Sequence, residues 1–284
     1  MGSSCVAISE AASWSDVPEL PEVETMARAL HRSVRGRTVS DIVVHRKDVL
    51  RGATPVRLRR ALVGHRIERV WRRAKLAVID FDSGAKVAVQ PRFTGSFVVE
   101  RSGRGADQYC TVHLLLDDGR RLHYRDVRRL GTFSFFAPGE FEDYAAKLGP
   151  EPLAPEFTGE VLYGILRGSI RPVKARIMDQ HKLAGVGNIY ASEALWRARI
   201  DPSSESRSVT RRQAEALHDG ILSVLRESIE LRGTTIRDYE NGAFAERLDA
   251  YGRAGESCNR CGTRIVMTHG IDGRATYFCP RCQR

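Results

Sequence analysis

Apolar residues recur at helical spacing from Val23 through Met26, Ala27 and Leu30 to Val34, and Pro18-Glu19-Leu20-Pro21-Glu22 leads into them. The pattern predicts a helix starting near Pro21, because proline loses nothing in a first turn and Glu22 and Glu24 complement the positive end of the dipole. Gly36 can end it. Between about Arg37 and Phe136 short runs rich in β-branched and aromatic residues read as strands. Asp82-Ser83-Gly84 and Asp117-Asp118-Gly119 fall between such runs as hairpin turns. Many short strands with turn signals predict a β-sandwich or barrel. After Pro150 the helical period returns in Val161, Leu162, Ile165 and Leu166, after Pro172, over Asn188 to Arg199, and from Ala214 to Ile229. That is about four helices. From Tyr251 onward the chain turns to Gly, Arg and Cys, the texture of a small metal-stapled module.

Charge narrows the choice of partner. Lys and Arg number 45 against 35 Asp and Glu, a net +10 over 284 residues, which favours a polyanion such as nucleic acid. No stretch approaches the roughly 20 apolar residues of a membrane span. The first 17 residues carry no Lys or Arg and no apolar run of signal-peptide length. A soluble, cytoplasmic protein is expected. Four of the six cysteines fall in the last 27 residues, while Cys5 and Cys110 stand alone, a distribution that suits one metal site in a reducing compartment.

Cys258-x-x-Cys261 and Cys279-x-x-Cys282 form a four-thiolate pattern with 17 residues between the pairs. Four sulfurs close a tetrahedral site and leave no position for water, so one structural Zn2+ is expected. A hairpin should join the two turns, with Arg274 on its second strand after Gly273 as a candidate phosphate contact. Two further basic groups are Arg120, Arg121, His123, Arg125, Arg128 and Arg129, and Arg72, Arg73 and Lys75 after Trp71. Gly185-Val186-Gly187-Asn188 runs into a helix whose amides can hold a phosphate, unless Asn188 is only a cap.

Five motifs in register carry a family resemblance. They are Pro18 to Thr25, Arg73-Ala74-Lys75, Asp126-Val127-Arg128-Arg129-Leu130-Gly131, Met178-Asp179 with Gly185 to Glu193, and Tyr251-Gly252-Arg253 through Gln283. Together the chain resembles the formamidopyrimidine-DNA glycosylases from Pro18 to its C-terminus. The resemblance implies an α+β multidomain fold: an N-terminal β-sandwich over residues 18–148, a helix-two-turn-helix domain over 149–249 and a zinc finger over 250–284. Residues 1–17 are an extension before the motif. The implied activity is base-excision repair: removal of oxidised bases such as formamidopyrimidine and 8-oxoguanine from double-stranded DNA, then nicking of the abasic site by β,δ-elimination. A monomer working at the bacterial nucleoid is the expected form.

By the same resemblance, the Pro18 imino nitrogen attacks C1′, Glu19 is the acid/base carboxylate and Glu22 a second acidic position. Lys75 assists proton transfer at the lesion. Arg274 grips phosphate and assists the last elimination. Lys174 and Asn188 match phosphate contacts, and Arg128 matches the side chain that fills the gap left by a flipped nucleotide. The chain departs from the family pattern where Phe93 stands for methionine, Leu130 for phenylalanine and Tyr109 for a DNA-contacting histidine, and where Gln90 to Gly95 lacks the usual His-Leu-Gly opening. The segment from Asp238 to Phe244 is shorter than the family loop that covers oxidised guanine. These departures keep open an endonuclease VIII-like preference for oxidised pyrimidines.

An acylated proline nitrogen has no lone pair to offer. Val17 is how an internal GTG start codon would read, so the expectation is initiation at codon 17 and trimming to expose Pro18. The alternative is a real extension on a relative that binds damage without cutting, or that uses another amine such as Lys75.

Overall fold

The computed structural model describes residues 17–100, 108–234 and 242–284. The expected extension, but for Val17, and residues 238–241 of the short loop lie outside the described residues.

Helix α1 (Leu20–Val34) starts one residue before the predicted turn, with Glu19 as its cap. The elements that follow are β1 (Val39–Val44), β2 (Leu50–Arg51), α2 (Pro55–Leu62), β3 (Ile67–Arg73), β4 (Leu76–Phe81), β5 (Lys86–Gln90), β6 (Gly95–Glu100), β7 (Cys110–Leu116), β8 (Arg121–Asp126) and β9 (Thr132–Phe136). Two sheets form, of order β1-β7-β8-β6 and β2-β9-β5-β4-β3. Both predicted hairpins are present, β4 with β5 and β7 with β8. Helix α2 interrupts what the sequence pattern reads as continuous strand territory. Its signals are local: Thr54 accepts from the Arg57 amide, Pro55 opens the first turn, and Leu58 and Leu62 are buried four residues apart.

The core between the sheets takes Val23, Met26, Leu30 and Val34 from α1 with Phe81, Val87, Phe97, Tyr124 and Phe133. Leu20 points the other way, into a second core built by the later helices. Burying such a leucine is worth about 1.5–3 kcal/mol, so the two ends of α1 fasten two cores together. After α3 (Glu140–Ala145), the helices are α4 (Gly159–Arg167), α5 (Val173–Ile177), α6 (Asn188–Ala198) and α7 (Arg211–Glu230). A third cluster joins Trp196 of α6 and Ala250 to Cys258, Ile265 and Cys279. Strands β10 (Val266–Thr268) and β11 (Thr276–Phe278) pair as a hairpin there. Arg274 lies before β11, in the turn, and not on the strand as expected. Among the described residues no helix is long and apolar enough to cross a membrane.

Candidate active site

The start of α1 is fixed from both sides. The Leu20 amide donates to the Gly185 carbonyl at 3.1 Å, and the Glu19 amide donates to Glu22 Oε2 at 3.0 Å. Glu22 Oε1 accepts from the Tyr190 hydroxyl and from the Thr234 amide at 3.0 Å. Tyr190 Oη also lies 2.7 Å from Ser228 Oγ. Burial first, then the Glu22 carboxylate, drive the Tyr190 phenol well above its usual range, so it stays a donor. Pro18 therefore sits on an anchored helix end.

Glu19 is buried, with Oε1 accepting from the Ile189 amide at 3.0 Å. That amide belongs to the first turn of α6. The glycine turn read as a possible phosphate cradle thus already holds the protein's own Glu19 carboxyl group. Glu19 Oε2 is buried without a hydrogen-bond partner. Burial pushes the Glu19 carboxyl up, Lys75 pulls it back, and Glu22 adds to the rise. Burial likewise pushes the Lys75 ammonium down, opposed by Glu19 and Glu22 and helped by Arg274. An acid raised beside an amine lowered is the arrangement that proton transfer near neutral pH requires.

Lys75 is aimed by the turn between β3 and β4, where Ala74 has a φ of 53°. Glu151 clamps that turn: it accepts from the Ala74 amide at 2.6 Å and Arg73 Nη1 at 2.7 Å, and pairs with Arg72 Nη2 at 2.7 Å. Burial works to raise the Glu151 carboxyl, but Arg72, the Ala74 amide and Arg73 outweigh it and hold it below the usual range. Arg72 also bonds Glu24 of α1 at 2.9 Å. Gly187 completes the junction. A Cβ there would overlap Lys75 Nζ and the Glu19 carboxylate, so no larger residue leaves both in place. Because those atoms end flexible side chains, Gly187→Ala should fold with little loss of melting temperature. In the base excision that the sequence resemblance implies, it should nonetheless lose on the order of 10²-fold in a single turnover, the usual cost of a displacement of about 1 Å at a reaction centre. Unchanged excision would show that the Glu19–Lys75 geometry is not needed.

The hairpin of the third cluster meets this junction. Lys174 is fully buried, with Nζ donating to Thr276 Oγ1 at 2.6 Å and 3.5 Å from Asp272. Burial brings its pKa down to about 8, against the pull of Asp272. Asn188 Nδ2 donates to the Ala275 carbonyl at 3.0 Å, and its buried Oδ1 has no partner. Both residues expected to contact phosphate therefore hold the hairpin. Arg274 is exposed, with Nη1 3.6 Å from Asp272.

Arg128 stacks over the Phe93 ring at 4.8 Å, and its amide donates to Thr94 Oγ1 at 2.9 Å. Leu130 is exposed two residues further on, at 43%, and Tyr109, whose carbonyl accepts from the Asp126 amide at 3.0 Å, is exposed at 38%. Asp126 organises this loop, accepting from Thr94 Oγ1 and from the Gly131 amide at 2.8 Å. Sequence reasoning missed Asp126, Glu151 and Tyr190 as functional supports. Asp126 and Tyr190 lie inside the family motifs, which was the available signal; Glu151 lies in none of them.

The sulfurs of Cys258, Cys261, Cys279 and Cys282 all lie within 4.8 Å of one another, and those of Cys261 and Cys279 are 3.5 Å apart. Zinc–sulfur bonds of about 2.3 Å in a tetrahedron place sulfurs about 3.8 Å apart. The four thiolates fit one structural Zn2+.

Comparison with known proteins agrees with this architecture. Residues 17–133 match the model described as the formamidopyrimidine-DNA glycosylase N-terminal domain, 148–240 that of its H2TH domain, and 255–284 a zinc finger found in FPG and IleRS. The formamidopyrimidine-DNA glycosylase of Bacillus licheniformis is 38% identical over 276 residues, covering 94% of this chain and 100% of its own. That of Chloroflexus aurantiacus is 38% identical over 275 residues, covering 94% and 98%. MutM in complex with DNA containing carbocyclic 8-oxo-G superposes with a TM-score of 0.88 at 30% identity, over 94% of this chain and 100% of that one. Lactococcus lactis Fpg in complex with DNA containing an abasic site gives 0.88 at 30% identity, over 94% and 99%. Fold and site define a DNA glycosylase built from a sandwich, an H2TH domain and a zinc finger. The chain belongs to the formamidopyrimidine-DNA glycosylase family.

Proposed function

We propose that this protein removes oxidised bases, formamidopyrimidine and 8-oxoguanine, from double-stranded DNA and nicks the abasic site that results. The observation that carries the reading is the meeting of Glu19, Lys75 and the first turn of α6 beside Pro18. With its nitrogen unacylated, Pro18 attacks C1′ and displaces the base. Glu19 delivers a proton to the opening sugar ring, and Lys75 assists transfer at the departing base. The resulting iminium acidifies the C2′ proton, so elimination and strand cleavage follow. Arg274 holds the phosphate that leaves last. Arg128, backed by Phe93 and Leu130, fills the gap left by the flipped nucleotide, and Tyr109 contacts the duplex. Asn188 and Lys174 add phosphate contacts, Lys174 once Thr276 and Asp272 release it. Relatives from bacteria such as Bacillus licheniformis support work in the cytoplasm, at the nucleoid.

Duplexes each carrying one lesion test the reading. Incision at formamidopyrimidine and 8-oxoguanine well above that at oxidised pyrimidines is expected, and the reverse order would move the specificity to oxidised pyrimidines. Glu19→Gln should lose about 10²- to 10⁴-fold in base excision, the usual share of a positioned acid/base. Its stability should move the other way. A carboxyl raised by burial binds its proton more tightly in the folded state, so its stabilising effect is full in acid and lost as pH rises through the raised value. At neutral pH the variant should therefore melt at or above the parent, and the gain should shrink in acid. A drop in both melting temperature and activity would make Glu19 a structural residue.

A further inference from the structure

Strand β7 carries chemistry that excision does not use. It pairs with β8 through a bulge: Cys110 faces Arg125 and Val112 faces Tyr124, so two steps on β7 match one on β8. The extra residue turns Cys110 out of the alternation. Val112 points into the sandwich core with Tyr124, while Cys110 shares the outer face with His113, which sits opposite His123. On the other side, Val44 pairs with Val112, and the next residue, His45, reaches the outer face just past the end of β1. His45 Nε2 lies 3.0 Å from His113 Nδ1, and Cys110 Sγ lies 3.3 Å from His123 Nδ1. One ligand atom from each of His45, Cys110 and His113 falls within 4.8 Å of the others.

We propose that His45, Cys110 and His113 form a second metal site, separate from the four-cysteine finger, that takes a borderline transition-metal cation such as Zn2+. Zinc bonds of about 2.0–2.1 Å to nitrogen and 2.3 Å to sulfur set tetrahedral ligand spacings of about 3.3–3.6 Å, so the His45–His113 contact needs to open only slightly. A 3.0 Å contact between two ring nitrogens already requires one to present a lone pair. Binding converts the Cys110 thiol to a thiolate and releases its proton. His123 stands against the sulfur and, through Nε2, 3.8 Å from Glu100, a carboxylate–histidine arrangement that orients a ligand from outside the first set of bonds. Three protein ligands leave a fourth position for water. Cys110 is buried while His45 is exposed, so an ion enters from the His45 side. The site adjoins Tyr109 and would tie the end of β1 to the start of β7.

The test counts metal on the zinc-loaded protein. After dialysis against excess Zn2+ and passage over a weak chelator, mass spectrometry of the metal content should give two ions per chain for the parent. It should give one for Cys110→Ser and one for His45→Ala. His45 lies at the surface, so its replacement leaves the fold intact even if Cys110→Ser is unstable. Co2+ added to the parent after it has been stripped to one Zn2+ per chain should produce a thiolate-to-cobalt charge-transfer band, and His45→Ala should weaken its titration at least 10-fold. One ion in the parent, or a second ion that survives either substitution, overturns the proposal.

Discussion

A preparation whose first residue is Pro18 should form a borohydride-stable adduct with DNA carrying an abasic site, and the chain with residues 1–17 attached should form none. The reason is electronic: in the longer chain the Pro18 nitrogen is an amide, whose lone pair is delocalised into the Val17 carbonyl. A terminal amine titrates around 7.7–8.0, so an appreciable neutral fraction exists near physiological pH. Loss of a covalent nucleophile costs on the order of 10⁶-fold where the catalytic groups act as a unit. Geometry already favours Pro18, since the Leu20 and Glu19 amides are anchored to Gly185 and Glu22. Lys75 is the competing amine, and burial lowers its pKa against the pull of Glu19 and Glu22. The decisive comparison is therefore Lys75→Ala in both forms. An adduct from the longer chain that this substitution abolishes would transfer the nucleophile to Lys75.

What could be read from the amino acids alone were features whose physics is local. Proline and glutamates at the head of α1, the Asp-x-Gly turns and the Cys-x-x-Cys pairs each act within a few residues. The motif pattern also named Pro18, Glu19 and Lys75. What it could not name was what holds them. Glu19 finds Ile189 170 residues away, Glu22 finds Thr234 212 residues away, and Glu151 reaches the Lys75 turn from 77 residues away. A buried carboxylate must be matched by donors from whatever element packs on it, and that is settled by tertiary structure. The glycine turn shows the difference: its amides suggested a phosphate, and the fold supplies Glu19 instead. Helix α2 was missed for another reason. Two turns with two buried leucines are too short for periodicity to outweigh the surrounding strands.

Stripping the finger's zinc should abolish incision while leaving the sandwich folded. The finger has no core that could stand without metal: its buried cluster is Cys258, Ile265 and Cys279 against Trp196 and Ala250, and β10 and β11 are three residues each. Structural zinc contributes an apparent 10–16 kcal/mol in modules of this kind, so its loss unfolds them. The damage then spreads along named bonds. Lys174 loses Thr276 and Asp272, Asn188 loses the Ala275 carbonyl, and Arg274 loses its place beside Lys75. The core between the sheets contains no finger residue, so it has no reason to melt. Amide exchange should accordingly rise over β10 and β11 and stay slow in β4 and β5, while incision falls at least 100-fold and returns when Zn2+ is restored. Cys279→Ser should reproduce the stripped state without a chelator. Full incision by that variant would mean that the hairpin, and Arg274 with it, takes no part in the reaction.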